Sequence, residues 1–237
     1  MDPAYAARYG ELYRRHWWWR AREALVVAEL RRLSLPRGRI LDVGSGDGLF
    51  FEPLAQFGEP EGVEPDPAML GPAPRHRQRI HAGPFETFEP GRRYSLILML
   101  DVLEHLTAPD AFLRHGVALL EPGGRVVVTV PAFPVLWTNH DAVNRHVARY
   151  TRASLHRVIE QAGLCAERMV YFFHWLFFAK LAARAYQALA RPSPRPPSVP
   201  PAPVNLVAWA VSRVEQLVHA RRLVPFGSSL LAIARAP

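Results

Sequence analysis

The sequence predicts an α/β fold built on a parallel sheet, and three observations carry that prediction. From Arg39 onward, short apolar runs alternate with helical stretches, the texture of buried strands joined by crossover helices. Within that region residues 40–50, ILDVGSGDGLF, read as a buried strand entering a glycine turn and then a helix. The chain has 237 residues, 49% of them apolar, which is enough for one substantial core carrying an elaboration.

Taken in order, residues 9–33 read as a helical region whose apolar face is marked by Leu25, Val26, Leu30 and Leu33. Trp17, Trp18 and Trp19 stand near its start; their rings are expected to dock the helix on the core, with direct ligand contact as the other reading. Strands are expected over 39–43, 61–64, 79–82, 94–100 and 125–130. A helix over 109–120 should end at the breaker Pro122-Gly123-Gly124. Thr151 caps a further helix, 155–162, stopped by Gly163, and a sixth strand follows over 165–172. The proline-rich stretch 191–203 reads as an extended connector, 204–220 as a helix and 229–234 as the last strand. The expected organisation is one domain: an N-terminal helical cap (1–36), a cofactor-binding core (37–173), a helical insertion with its connector (174–222) and a closing strand (223–237).

The formal net charge of +8 invites a nucleic-acid or anionic-membrane reading. Lys180 is the only lysine, however, and the arginines are scattered without a run of five, so no nucleic-acid partner is expected. Cys165 is the only cysteine, which excludes an intrachain disulfide framework and a cysteine-rich zinc site. The opening Met1-Asp2-Pro3-Ala4 lacks a signal-peptide pattern and no apolar run is long enough to span a bilayer, so a cytoplasmic setting is expected.

The glycine turn carries the chemistry. Gly44, Gly46 and Gly48 allow a tight turn and close approach of a ligand. Their spacing is G-x-G-x-G, with Leu49 where a dinucleotide loop wants its third glycine. Asp42, just before the turn, suits a cationic ligand better than a diphosphate. Glu64 lies twenty positions after Gly44, at the end of the second strand, where a carboxylate can accept from ribose hydroxyls. These features argue against a nicotinamide-dependent oxidoreductase.

ILDVGSGDG, Glu64, LDVLEHL (100–106) and LEPGGRVVVTVP (120–131) together resemble the class I S-adenosylmethionine-dependent methyltransferases over 39–131. The tryptophan-rich opening and HDAVNRHVARYT are similar, more weakly, to a bacterial branch associated with cell-surface lipid and glycan pathways. The resemblance implies a doubly wound, Rossmann-like, seven-stranded, mostly parallel sheet in order 3-2-1-4-5-7-6, with a helical insertion before the antiparallel last strand. It implies S-adenosylmethionine as cofactor, held by Asp42, Gly44, Ser45 and Gly46 at its methionine part, Glu64 and Pro65 at its ribose, and Leu100 and Asp101 near the sulfonium. For adenine, stacking on Phe85 and an amine contact to Glu86 both remain open.

Methyl transfer is an in-line displacement that needs alignment and, for a hydroxyl acceptor, a base. The segment WTNHDAVNRHVARYT supplies His140, Asp141 and His146 as catalytic candidates, with His140 or His146 as base. Arg149, Tyr150 and His105 are the acceptor-binding candidates, Arg149 steering an anionic group; a loop whose polar groups merely cap one another is the rival reading. Histidine and aspartate here resemble no established metal-ligand pattern, and no metal is expected. A noncatalytic cofactor-binding or scaffold protein on this fold stays open. Residues 171–190, rich in aromatics, admit three readings: packing on the tryptophan cluster, a homodimer interface, or an interfacial lid that holds a lipid-like acceptor or contacts the inner face of a membrane, with Lys180 and Arg184 toward headgroups.

Overall fold

The structure is a computed structural model that describes residues 3–33, 35–70, 75–190, 193, 197–219 and 224–237. Its elements are α1 (Pro3–Arg15), α2 (Trp17–Leu30), β1 (Gly38–Val43), α3 (Phe51–Leu54), β2 (Gly58–Glu64), β3 (Ile80–Ala82), β4 (Tyr94–Leu100), α4 (Pro109–Leu119), β5 (Leu120–Pro131), α5 (Asn139–Val143), α6 (Arg152–Gln161), β6 (Cys165–Phe172), α7 (His174–Ala190), α8 (Ala202–His219) and β7 (Ser229–Arg235). The strands form one seven-stranded sheet in order β3-β2-β1-β4-β5-β7-β6. β7 is antiparallel to both its neighbours, and the β1, β2, β3, β4 and β5 pairings are parallel.

Successive strand residues point to opposite faces, and the two cores follow that alternation. Ile40, Leu96, Leu98, Leu231 and Ile233 pack with Trp17, Trp19, Val26 and Leu30 of α2. Leu41, Ile97, Met99, Val126 and Val128 pack on the other face with Phe112 and Leu113 of α4 and Leu155 and Ile159 of α6. Helices on both faces of a mostly parallel sheet make the fold doubly wound.

Four expectations need correction. The single helical region over 9–33 is two helices, because His16 is extended (φ −77°, ψ 132°) and its Nδ1 accepts from Trp18 N–H at 3.1 Å as an N-cap. The helix after the glycine turn is reduced to the four residues of α3, since Gly48 at φ +77° prolongs the turn. Pro122-Gly123-Gly124 does not separate α4 from a strand starting at Arg125; β5 begins at Leu120, paired to Tyr94, and the irregularity is absorbed by a register shift before Leu96 pairs with Arg125. The proline-rich connector ends early, because α8 starts at Ala202 with Pro203 in its first turn, where a missing N–H costs nothing. Residues 191, 192, 194–196 and the boundary at 222–223 lie outside the described residues.

The insertion is tied to the N-terminal cap. Asn205 of α8 accepts from Trp17 N–H at 2.8 Å and donates to the Arg15 carbonyl at 2.8 Å, so one amide satisfies both sides of the α1–α2 break. Gln216 donates to the Ala21 carbonyl at 2.9 Å, and Trp175 of α7 packs on Trp17 at 5.2 Å between centroids. No helix among the described residues is long and apolar enough to cross a membrane. Asn205→Ala removes two hydrogen bonds and leaves two backbone groups to solvent; it should lower unfolding stability by about 1–2 kcal/mol in urea denaturation without changing the slope of the transition.

Candidate active site

The carboxyl ends of β1, β2, β4 and β5 open into a cavity of about 710 Å³, large enough for a nucleoside-sized ligand together with an acceptor. The glycine turn is folded down onto β2. Glu64 accepts from the N–H of Gly46 and of Asp66, each at 2.9 Å, which holds the turn against the strand end. A Cβ on Gly62 would lie 2.3 Å from Ser45 Oγ, so β2 needs glycine there for the turn to close. Each carboxylate oxygen has a second lone pair, so Glu64, at the cavity wall, keeps acceptor capacity for ribose hydroxyls. Burial raises its pKa despite the two N–H donors. Burial likewise raises Asp42 to about 7, partly relieved by Arg22 and increased by Glu64. A negative floor of this kind fits a cationic sulfonium ligand.

The N-terminal cap forms one wall. Arg22 of α2 forms a salt bridge with Asp101 and lies over the Trp18 ring at 5.1 Å. Asp101 follows the last residue of β4 at φ +58°, a left-handed conformation for a residue with a side chain. The Tyr9 ring approaches Gly46, where a Cβ would sit 3.5 Å from Cε1, and burial pushes the Tyr9 phenol up to about 12. Trp17, Trp18 and Trp19 line the cavity and also pack on the core, with Trp17 meeting Phe173 edge-on at 5.6 Å.

The opposite wall is the segment after β5. Asp141 is fully buried and closes the capping box of α5, accepting from Thr138 N–H at 2.8 Å. It also pairs with Arg149, whose Nε donates to Oδ1 at 2.8 Å and Nη2 to Oδ2 at 3.1 Å. His146 Nδ1 lies 2.9 Å from Asp141 Oδ1. Burial alone would raise the Asp141 carboxyl, but His146 and Arg149 outweigh it and hold the group well below the usual carboxylate range. The segment is fastened to the turn after β4: Val147 N–H donates to the Glu104 carbonyl at 2.7 Å and Tyr150 Oη to the Leu103 carbonyl at 3.0 Å.

Of the sequence-predicted residues, Gly44, Glu64, Pro65, Phe85, Glu86, Leu100, Asp101, His105, His140, His146 and Arg149 line the cavity. Asp42, Ser45, Gly46, Asp141 and Tyr150 lie behind its wall. The Phe85 ring is buried against Phe112 at 4.7 Å and His115 at 4.9 Å, so it offers the cavity little of a stacking face. Arg149 spends its guanidinium on Asp141 and on the Ala132 carbonyl, at 2.7 Å, and is not free to steer an anion. His140 is exposed at the cavity rim with its Nε2 3.1 Å from Asn144 Nδ2, and no carboxylate orients its ring as Asp141 orients His146. The triad His140, Asp141 and His146 does not converge for a metal. Donor atoms of Glu104, His105 and His146 do, all within 4.8 Å of one another, a spacing at which a cation could be shared. Glu104 is buried with Oε2 unpartnered, and desolvation, with Asp101 nearby, raises its pKa well above normal. Sequence reading missed Arg22, Tyr9 and the inward aim of Lys180. Only one of the three readings of residues 171–190 gave Lys180 a place, at headgroups; its singularity in the chain was the one available signal.

Comparison with known proteins agrees with this architecture. A methyltransferase domain family profile matches residues 18–167, and the chain belongs to this family, within the class I S-adenosylmethionine-dependent methyltransferases, whose cofactor is S-adenosylmethionine. A ubiquinone biosynthesis O-methyltransferase from Bradyrhizobium sp. (strain ORS 278) is 35% identical over 98 residues, 38% of this chain and 39% of that protein. Another from Azorhizobium caulinodans is 33% identical over 126 residues, 48% of this chain and 50% of that protein. The matched region thus spans half or less of these curated relatives. Among solved structures, a chain of the complex between the Haloferax volcanii Trm112 methyltransferase activator and a methyltransferase has TM-score 0.61 at 17% identity, covering 99% of this chain and 95% of that one. The N-methyltransferase NodS from Bradyrhizobium japonicum WM9, in complex with S-adenosyl-L-homocysteine, has TM-score 0.54 at 19% identity, covering 92% and 87%. These two likenesses establish the fold.

The raised Asp42 carboxyl has a stability consequence. The folded protein keeps a proton that the unfolded chain has already released, so folding stability falls as pH rises from about 4 through about 7 and the cost is complete above that. Asp42→Asn should therefore match the wild type in urea denaturation at pH 4 and exceed it at pH 8; equal differences at both pH values would contradict the assignment.

Proposed function

We propose that the protein methylates a hydroxyl oxygen of a hydrophobic small molecule and that His146 accepts the hydroxyl proton. The observation that carries this reading is the Asp141–His146 pair on the cavity wall, at 2.9 Å. With Nδ1–H directed to a buried carboxylate that stays ionised, the imidazole is held in one tautomer and its Nε2 lone pair is the one left to act as a base. Bound S-adenosylmethionine supplies an electrophilic methyl carbon for in-line attack. The chain's residues hold and aim the partners: Glu64 accepts from ribose hydroxyls, the glycine turn lets the ligand approach the backbone, and the α2 and α7 walls keep water out. Leu106, Val143 and Leu176 give the acceptor side an apolar lining. The relatives named as O-methyltransferases of ubiquinone biosynthesis support an oxygen acceptor on a hydrophobic molecule.

Transfer of label from S-adenosylmethionine to a panel of alkylated catechols tests this. His146→Gln should cut turnover roughly 10²- to 10⁴-fold while S-adenosylhomocysteine affinity stays at the wild-type value, and Glu64→Ala should weaken that affinity at least about tenfold in a folded protein. Normal turnover in His146→Gln removes His146 as base.

An acceptor drawn from lipid also suits the outer face of the insertion. α8 exposes Leu206, Val207, Val211, Val214, Leu217 and Val218, beside a chain whose formal charge is +8. We read this face as resting on an anionic lipid surface. On flotation with anionic vesicles the protein should rise with the lipid, and Val207→Glu combined with Val214→Glu should leave it at the bottom. Wild-type protein that stays at the bottom, with a dimer in sedimentation, would assign the face to a second copy.

A further inference from the structure

We propose that Lys180 is the acceptor-recognition residue of the cavity and that the acceptor carries a carboxylate, which pairs with the Lys180 ammonium when bound. The inference rests on the methyltransferase reading above and adds a substrate class to it.

Lys180 enters the cavity wall from α7, an element outside the α/β core, together with Leu176 one helical turn earlier. The helix is fixed over the acceptor side by two contacts: Gln187 accepts from Asn139 N–H at 3.0 Å and Arg184 donates to the Trp137 carbonyl at 3.3 Å. The charged and titratable groups that face Lys180 are Arg149, Asp141, Asp101 and His140. Each acid among them is committed elsewhere, Asp141 to Arg149 and His146 and Asp101 to Arg22. Lys180 itself has no hydrogen bond or ion pair among the described residues. Lys180 is half-buried in that wall, and a cation partly withdrawn from water with its neighbouring acids already paired gains a charge-assisted contact when an anion arrives. The ammonium therefore favours an acceptor that brings its own negative group, and Leu176 beside it favours an apolar body attached to that group. Desolvation and Arg149 lower the Lys180 pKa to about 8, in keeping with this unmatched position.

Because Lys180 is the only lysine, reductive methylation with ¹³C-formaldehyde places a single side-chain label on the protein, and its resonance reports protonation directly. The probes are 3,4-dihydroxybenzoate and its methyl ester, which differ in charge and share the hydroxyl acceptors. With and without S-adenosylhomocysteine, the acid should raise the labelled group's midpoint by about one pH unit and bind roughly tenfold more tightly than the ester. Lys180→Met should cut the acid's affinity about tenfold and leave the ester unchanged, whereas Lys180→Arg should keep the preference. Equal binding of acid and ester, an acid that does not bind, or a preference that survives in Lys180→Met overturns the proposal. So does inorganic phosphate that moves the label as far as the acid, since that marks a general anion site. Calorimetry with S-adenosylhomocysteine on the same samples reads the methyltransferase assignment separately: its failure strikes that assignment, and cofactor binding without acid preference strikes Lys180 alone.

Discussion

Arg149 and Asp141 meet with both side chains withdrawn from solvent, and two buried charges cost several kcal/mol each unless nearly all their polar atoms are matched. Here they are: Thr138, His146 and Arg149 share the carboxylate, and the Ala132 carbonyl takes the remaining arm of the guanidinium. One aspartate therefore starts α5, orients His146 and anchors the chain leading into α6. Removing it would strand a buried guanidinium, so the acceptor wall and the candidate base are held by the same contact. The rival sequence reading, a loop whose polar groups cap one another, describes Asp141 and Arg149, while Tyr150 donates outside the segment to the Leu103 carbonyl. That reading is incomplete for His146, which the capping network turns toward the cavity.

A second constraint works at the end of β4. Asp101 sits at a positive φ without being glycine, a conformation that costs of order 1 kcal/mol or more and persists where surrounding contacts over-determine it. Arg22 supplies such a contact and in doing so draws α2, with its tryptophans, across the mouth of the sheet. The strained residue and the helical wall are thus parts of one arrangement.

The sheet was readable because its signals are local. Apolar runs such as ILDV and YSLILML, each ended by a turn residue or charge, mark strands whatever surrounds them. The glycine spacing and Glu64 marked one wall of the cavity for the same reason. Reading failed where the answer depends on distant partners. No local pattern at His16 announces a helix break completed by Asn205, nearly two hundred residues away. Nothing near Lys180 says that its helix folds back over the sheet, and an amphipathic pattern with a lysine on it fits a headgroup as well as a cavity. Arg149 and Phe85 were assigned outward roles from their type, whereas burial turned both into internal fastenings.

The family match stops at residue 167, short of α7 and α8, although α7 supplies Leu176 and Lys180 to the cavity. The cavity is therefore walled by two stretches of chain, the matched sheet edge and a helix beyond it. The insertion joins the N-terminal cap through the Asn205 and Gln216 amides and through the packing of Trp175 on Trp17. A side chain changed on the inward face of α7 would reshape that wall while every strand pairing stayed as it is.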